Sequence, residues 1–207
     1  MENKYLKEFF SILLAAVVLS VSLYYKNTNS FWFILLYISI TIGINVLTKK
    51  IAGYYYETNI EYSLWSIQNI GFRPSHKLKT PFPMTWLPLI VSFVTNGFFQ
   101  WIPILVFNVE PKPERASKRH GLYNFSEVSE RDLAIIVFVS VICHLFFSVV
   151  FYLCGFEILA KYNIYYAVAS IIPLSDLDGS KLFFGNKILW FISTILSVLF
   201  FMVSFGF

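Results

Sequence analysis

Apolar and polar positions fall in long blocks along this chain rather than in the short periods of a soluble domain. Residues 9–25 run 17 positions without a charged side chain, and residues 31–47 do the same after a short polar turn at 26–30. Each is within the length that crosses a bilayer. Residues 82–107 are apolar over 26 positions, interrupted by Pro88, Asn96, Gly97 and Pro103. That stretch is expected to be one long tilted span with an irregular end, the alternative being a re-entrant hairpin that breaks at Asn96-Gly97. Residues 133–153 form the cleanest block, 21 positions with no formal charge, and 162–174 and 188–205 complete the series. The pattern predicts an all-α integral membrane protein, one polytopic domain over residues 1–207 with about six transmembrane helices.

The polar blocks between them are of three kinds. Residues 51–65, IAGYYYETNIEYSLW, are rich in Tyr and end on Trp65, which predicts an interfacial helix at the membrane surface. Residues 68–83 are basic and Pro-punctuated, a loop carrying Arg73, His76, Lys77 and Lys79. Residues 108–132 hold five Lys/Arg and five Asp/Glu and read as a nearly neutral loop that includes His120. With six simple crossings, the Lys/Arg-rich stretches 49–79 and 112–131 would fall on opposite sides. That conflicts with the positive-inside bias unless 82–107 is a hairpin. The opening run reads as a retained span rather than a cleaved signal, because no A-x-A-like site follows it.

Composition supports the same class. The chain is 57% hydrophobic and only 14% charged, with mean hydropathy +0.65, against about a quarter charged residues in a soluble domain. A bilayer is therefore its expected environment, as a multi-pass protein of the cell membrane. The net charge of +4 comes from 16 Lys+Arg against 12 Asp+Glu, as expected beside anionic head groups. No dense basic run interleaves with exposed aromatics, so nucleic acid is not an expected partner. Cys143 and Cys154 lack a C-x-x-C partner and read as small buried hydrophobes rather than a disulfide or thiolate metal site.

Candidate chemistry concentrates in residues 170–185, SIIPLSDLDGSKLFFG, where Asp176 and Asp178 sit on a Pro/Gly-broken backbone between apolar blocks. A carboxylate at the edge of a span must be hydrated, paired or metal-bound to be tolerated. Within 133–153, Ser140, His144 and Ser148 recur every fourth residue and so stack on one helical stripe, which should face protein or water. A hydrogen-bonded packing role for His144 competes there with metal ligation. Lys49 and Lys50, following Asn45, read first as helix-end lysines that snorkel to the head groups. His76 and His120 read as solvent-exposed loop residues.

Three stretches together resemble the site-2 protease family of intramembrane zinc metalloproteases, and within it the small archaeal-type multi-span members. That family carries H-E-x-x-H in one span, S-x-R-E/D leading into a G-P-x-x-N span, and N-x-x-P-x-x-x-L-D-G in a later one. Here Pro173, Leu177, Asp178 and Gly179 keep the last spacing, with Ser170 in place of the asparagine. Ser129, Arg131 and Asp132 keep the entry to the second motif, and Ser140 to His144 read SVICH where the family has G-P-x-x-N. Where H-E-x-x-H would stand, the chain reads NVLTK: Asn45 and Lys49 occupy the histidine positions and Val46 that of the glutamate base. The resemblance covers roughly the C-terminal three quarters of the chain.

The resemblance implies a site-2-protease-like core, and its departures imply lost catalysis. A zinc hydrolase needs three protein ligands, an open position for water and a base. Only Asp178 of the ligand set remains, and valine takes no proton. The expected protein is a catalytically inactive homologue with no cofactor, which holds a transmembrane client or a partner subunit. Position 49 should then lie within a few ångströms of position 178, with a Lys49 ammonium in the place of the lost dication. A polar site of His144, Ser140, Ser170 and Lys49 would surround it. One alternative is a divergent zinc-dependent protease using Asp178, His144 and a ligand from a loop histidine or a partner chain. The other is a small transporter with Asp176, Asp178, His144 and Lys49 along a polar path.

Overall fold

A computed structural model describes residues 2–25, 30–69, 77–98, 100–112 and 128–204. The elements in chain order are α1 (Glu2–Tyr24), α2 (Phe31–Tyr55), β1 (Thr58–Leu64), β2 (Ser66–Asn69), β3 (Lys77–Pro83), a 3-10 turn (Met84–Trp86), α3 (Leu87–Val94) and β4 (Leu105–Pro111). After these come α4 (Glu130–Leu153), α5 (Glu157–Ser170), α6 (Asp178–Gly185) and α7 (Lys187–Val203). Among the described residues three helices are long and apolar enough to cross a membrane: Lys4–Tyr24, Phe31–Tyr55 and Glu130–Leu153. The protein is mostly helical, with α7 a shorter apolar helix of 17 residues and α5 a helix of 14.

The distribution of side chains inverts that of a soluble protein. Phe9, Phe10, Leu13, Trp32, Phe33, Leu36, Phe191 and Met202 stand exposed, while Ser20, Thr41, Asn45, Ser140, His144, Ser148, Asn163, Ser193 and Ser197 are buried. Exposed apolar area on this scale suits a hydrocarbon solvent. Some interior polar groups bond locally, as Ser20 does to the Ala16 carbonyl and Thr41 to that of Tyr37, and others bond between helices, as Ser140 does to Asn45. Ser140, His144 and Ser148 all turn inward, as their spacing on α4 requires.

Several expectations need correcting, among them the two cysteines, of which Cys143 is half-buried and Cys154, just past the end of α4, is exposed. Residues 51–65 are not an interfacial helix: α2 runs on through Lys49 and Lys50 to Tyr55, and β1 follows after a turn at Glu57, whose φ is 53°. In TNIEYSL the β-branched and aromatic Thr58, Ile60 and Tyr62 are buried and alternate with exposed or partly exposed Asn59, Glu61 and Ser63, which a strand satisfies and a helix does not. Residues 82–107 are not one span. They comprise the end of β3, the 3-10 turn, the eight-residue α3, a reversal and β4. Pro88 sits in the first turn of α3, where its missing N–H costs nothing. The helix ends at Asn96 and Gly97, both with positive φ (51° and 70°), and the Gly97 N–H caps the Ser92 carbonyl at 2.7 Å. Eight residues rise only about 12 Å, well short of a bilayer. Residues 77–83 of the expected loop form β3, paired with β2; His76, Arg73 and His120 lie outside the described residues.

The stretch 58–111 is one excursion that leaves and returns at the same place. β1 and β4 pair antiparallel from Thr58↔Pro111 to Leu64↔Leu105, and the Lys112 N–H donates to the Glu57 carbonyl. This ribbon lies against the start of α1, where Lys4 bridges Glu61 and Glu110. Its far part meets the other end of α1, where Ser22 Oγ donates to the Pro88 carbonyl and Ser92 Oγ to the Ser22 carbonyl. Lys4 and Ser22 are about 27 Å apart along a helix. The apolar run at 82–107 is therefore the far arm of the excursion and its return.

Candidate functional site

The site forms where α2, α6 and the ribbon converge. Asn45 and Lys49, one turn apart on α2, face inward with Ile38, Ile42 and Ala52. Opposite them α5 ends at Ser170, and the chain bends through Pro173 and through Ser175, whose φ is 48°, before restarting as a helix at Asp178. Leu177 precedes that helix and anchors the bend by burying itself with Trp65 and Val106. Gly179 is required by close approach: a Cβ there would stand 2.2 Å from the Ile172 carbonyl oxygen, a backbone atom with no freedom to retreat. Gly179→Ala should therefore cost about 2–3 kcal/mol of stability. Gly43→Ala, with open space around its Cβ, should be neutral or slightly stabilising. Unfolding of the two variants in detergent micelles checks this; equal effects would remove the steric reading.

At this convergence Lys49 Nζ lies 2.5 Å from Asp178 Oδ2. Lys49 is 1% exposed and Asp178 6%, so the pair is sealed from solvent. The ammonium also lies 4.7 Å from the centroid of the Phe107 ring and 6.0 Å from that of Tyr62. Both rings come from the ribbon, and the Tyr62 hydroxyl donates to the Asn45 carbonyl. At such a separation, and at an effective dielectric of about 20, the direct attraction is about 7 kcal/mol, set against a desolvation cost of several kcal/mol for each ion. Among the described residues Asp178 Oδ1 has no hydrogen-bond partner. It borders a cavity of about 10 Å³, the volume of a single water, lined also by Ser170, Tyr166 and Ile102.

The remaining candidates are placed as follows. Asn45 Oδ1 accepts from Ser140 Oγ at 2.9 Å, and Thr48 Oγ1 donates to Ser140 Oγ at 3.3 Å, which ties α2 to α4. Val46 lies about 100° further round α2 and lines an apolar groove against α1 with Ile12, Ala16, Ile42 and Gly43. Ser170 Oγ donates back to the Tyr166 carbonyl. Ser129 caps α4 by accepting from the Asp132 N–H. Pro173 and Asp176 are exposed.

His144 is held by groups the sequence reading did not single out. Its Nδ1 lies 2.9 Å from Asn163 Oδ1, and Asn163 Nδ2 donates to the Leu159 carbonyl, which assigns the imidazole proton to Nδ1. The ring stacks on Tyr166 with centroids 4.7 Å apart. Its Nε2 is buried without a hydrogen-bond partner, and the ring bonds to neither Asp178 nor Lys49. Among the described residues no three His, Cys, Asp or Glu side chains converge as a metal-binding group.

Phe107, Tyr62, Asn163 and Lys181 were not foreseen. The first two sit in segments whose strand pairing the hydropathy pattern hid. Lys181 carried a signal, since three residues after Asp178 on a helix is the same face. The chain matches no protein-family model, and neither a curated protein nor a solved structure is significantly similar to it.

Proposed function

We propose that this chain is a catalytically inactive homologue of the site-2 proteases, a multi-pass protein of the cell membrane that binds a transmembrane client or a partner subunit. The observation that carries the reading is the sealed Lys49–Asp178 pair. It joins the two positions that the family motifs would assign to metal ligands, 49 on α2 and 178 at the start of α6. An ammonium held there by the carboxylate excludes a dication by charge and by volume. The position of the general base is Val46, which takes no proton and faces the groove with α1. In this reading α2, α4 and α6 form the core, α1, α5 and α7 surround it, and the excursion 58–111 enters the membrane and returns. The six-span count of the hydropathy pattern then becomes α1, α2, α4, α5 and α7 with one re-entrant segment.

The protein requires no zinc in this reading. Purified from a zinc-supplemented culture, it should hold well below one zinc per chain, measured by plasma mass spectrometry. One tightly held zinc per chain, with peptide cleavage abolished by Asp178→Asn, would replace this reading by that of a divergent zinc-dependent protease. The free Nε2 of His144 is the single observation that favours that alternative.

A further inference from the structure

The buried pair leaves a second ammonium outside the ion pairs of the described residues. Lys181 follows Asp178 by one helical turn on α6, yet Asp178 is taken by Lys49. Among the described residues the ion pairs join Lys4 to Glu61 and Glu110, Lys49 to Asp178, and Lys50 to Glu8, and none includes Lys181. Its Nζ donates to the Phe107 carbonyl and lies 3.7 Å from the centroid of the Phe107 ring. The same ring thus lies beside both ammoniums. A carbonyl and an aromatic face solvate a cation but do not neutralise it.

Lys181 is half-buried rather than sealed, and it lines a cleft of about 420 Å³ with Phe107, Asn108, Val109, Leu133 and Val128. Apart from the amine and Asn108, those walls are apolar. A cation solvated only by a carbonyl and a ring, in a cleft whose other side chains are mostly apolar, invites an anion from outside.

We propose that Lys181 is the anchoring point for a carboxylate on the segment this protein binds, with the cleft between β4, α4 and α6 receiving the residues around it. This rests on the client-binding reading above and adds the chemistry of the client: an acidic side chain within or beside an apolar segment. Asp178 cannot serve as that acid, because Lys49 already holds it.

The test uses the full chain in phosphatidylcholine bicelles with two synthetic peptides. Both are transmembrane Leu/Ala peptides of about 20 residues, one bearing a single Glu and its twin a Gln at that place. Lys181 reactivity toward an acetylating ester is read by mass spectrometry, and peptide binding by fluorescence from a dye on the peptide. The Glu peptide should bind about tenfold more tightly than the Gln peptide and slow Lys181 acetylation to match. Lys181→Arg should keep that preference and Lys181→Gln should lose it.

Equal binding of the two peptides, with equal protection, overturns the carboxylate anchor while leaving client binding intact. Binding of both without protection of Lys181 has the same consequence. Protection by phosphatidylglycerol alone, to the extent given by the Glu peptide, overturns the proposal in favour of a lipid head group. If neither peptide binds, client binding itself is removed, and the anchor with it.

Discussion

Removing one member of the Lys49–Asp178 pair should cost about 3–5 kcal/mol of stability, whereas removing both together should cost little. Lys49→Met strands a carboxylate at a site that is 6% exposed, with Oδ1 already lacking a hydrogen-bond partner among the described residues. Asp178→Leu strands an ammonium among Phe107, Tyr62 and the backbone of α2. In each single variant the remaining ion has lost the counter-charge it is bonded to. The double variant Lys49→Met/Asp178→Leu buries neither charge and keeps a similar volume, so the coupling should approach the sum of the two single effects. Chemical unfolding in detergent micelles, run as a double-mutant cycle, measures it. Single variants that each lose less than about 1 kcal/mol would show that the pair is not what closes this site.

Replacing Asn45 and Lys49 by histidine should turn the ion pair into a zinc site. The two positions lie one turn apart on the buried face of α2, and Lys49 already reaches Asp178. With the ammonium gone, Asp178 and two imidazoles make the three-ligand set that holds zinc with one position open. The double variant should rise from well below one zinc to about one per chain, and its cobalt form should show the visible absorption of a tetrahedral site. Val46 remains in place, so peptide cleavage is not expected to return. A double variant that keeps its helical circular dichroism but binds no more zinc than the wild type would sever position 45 or 49 from Asp178. The kinship drawn from the motifs would lose its geometric basis with it.

These two experiments probe the same corner from opposite directions. The first asks whether opposite charges hold α2 and α6 together. The second asks whether the corner retains the shape of a metal site once the ammonium is gone. Stability loss without zinc gain would describe a structural ion pair in an unrelated fold. Zinc gain without stability loss would describe a metal pocket in which Lys49 is a passive filler.

Much of the helical framework was legible in the chain, because a bilayer-length run without charge has few other uses. Residues 9–25, 31–47 and 133–153 fall within α1, α2 and α4 but for Tyr25. The inward stripe of Ser140, His144 and Ser148 was legible too, since helical spacing alone puts them on one face. The run at 82–107 was misread because hydropathy reports what a segment is buried in and not the path it takes. A short helix, a turn with two positive-φ residues and a return strand bury the same side chains as a single span. The tyrosines of 51–65 misled for a related reason, as Tyr62 is buried against α2 rather than standing at a membrane surface.

By itself the sequence determined the three helices long and apolar enough to cross a membrane and the chemical character of residues 170–185, where an acid sits amid apolar neighbours. Those follow from local composition and period, which need no partner to be read. Only the tertiary structure decided that Lys49 lies buried and does not snorkel, that Phe107 and Tyr62 flank it, that His144 answers to Asn163, and that Lys181 lies against the Phe107 ring and carbonyl rather than in an ion pair with a described residue. Each of these depends on groups far apart in the chain, 129 residues in the case of Lys49 and Asp178. The energy of a buried charge is set by whichever atoms surround it, and chain folding alone chooses them.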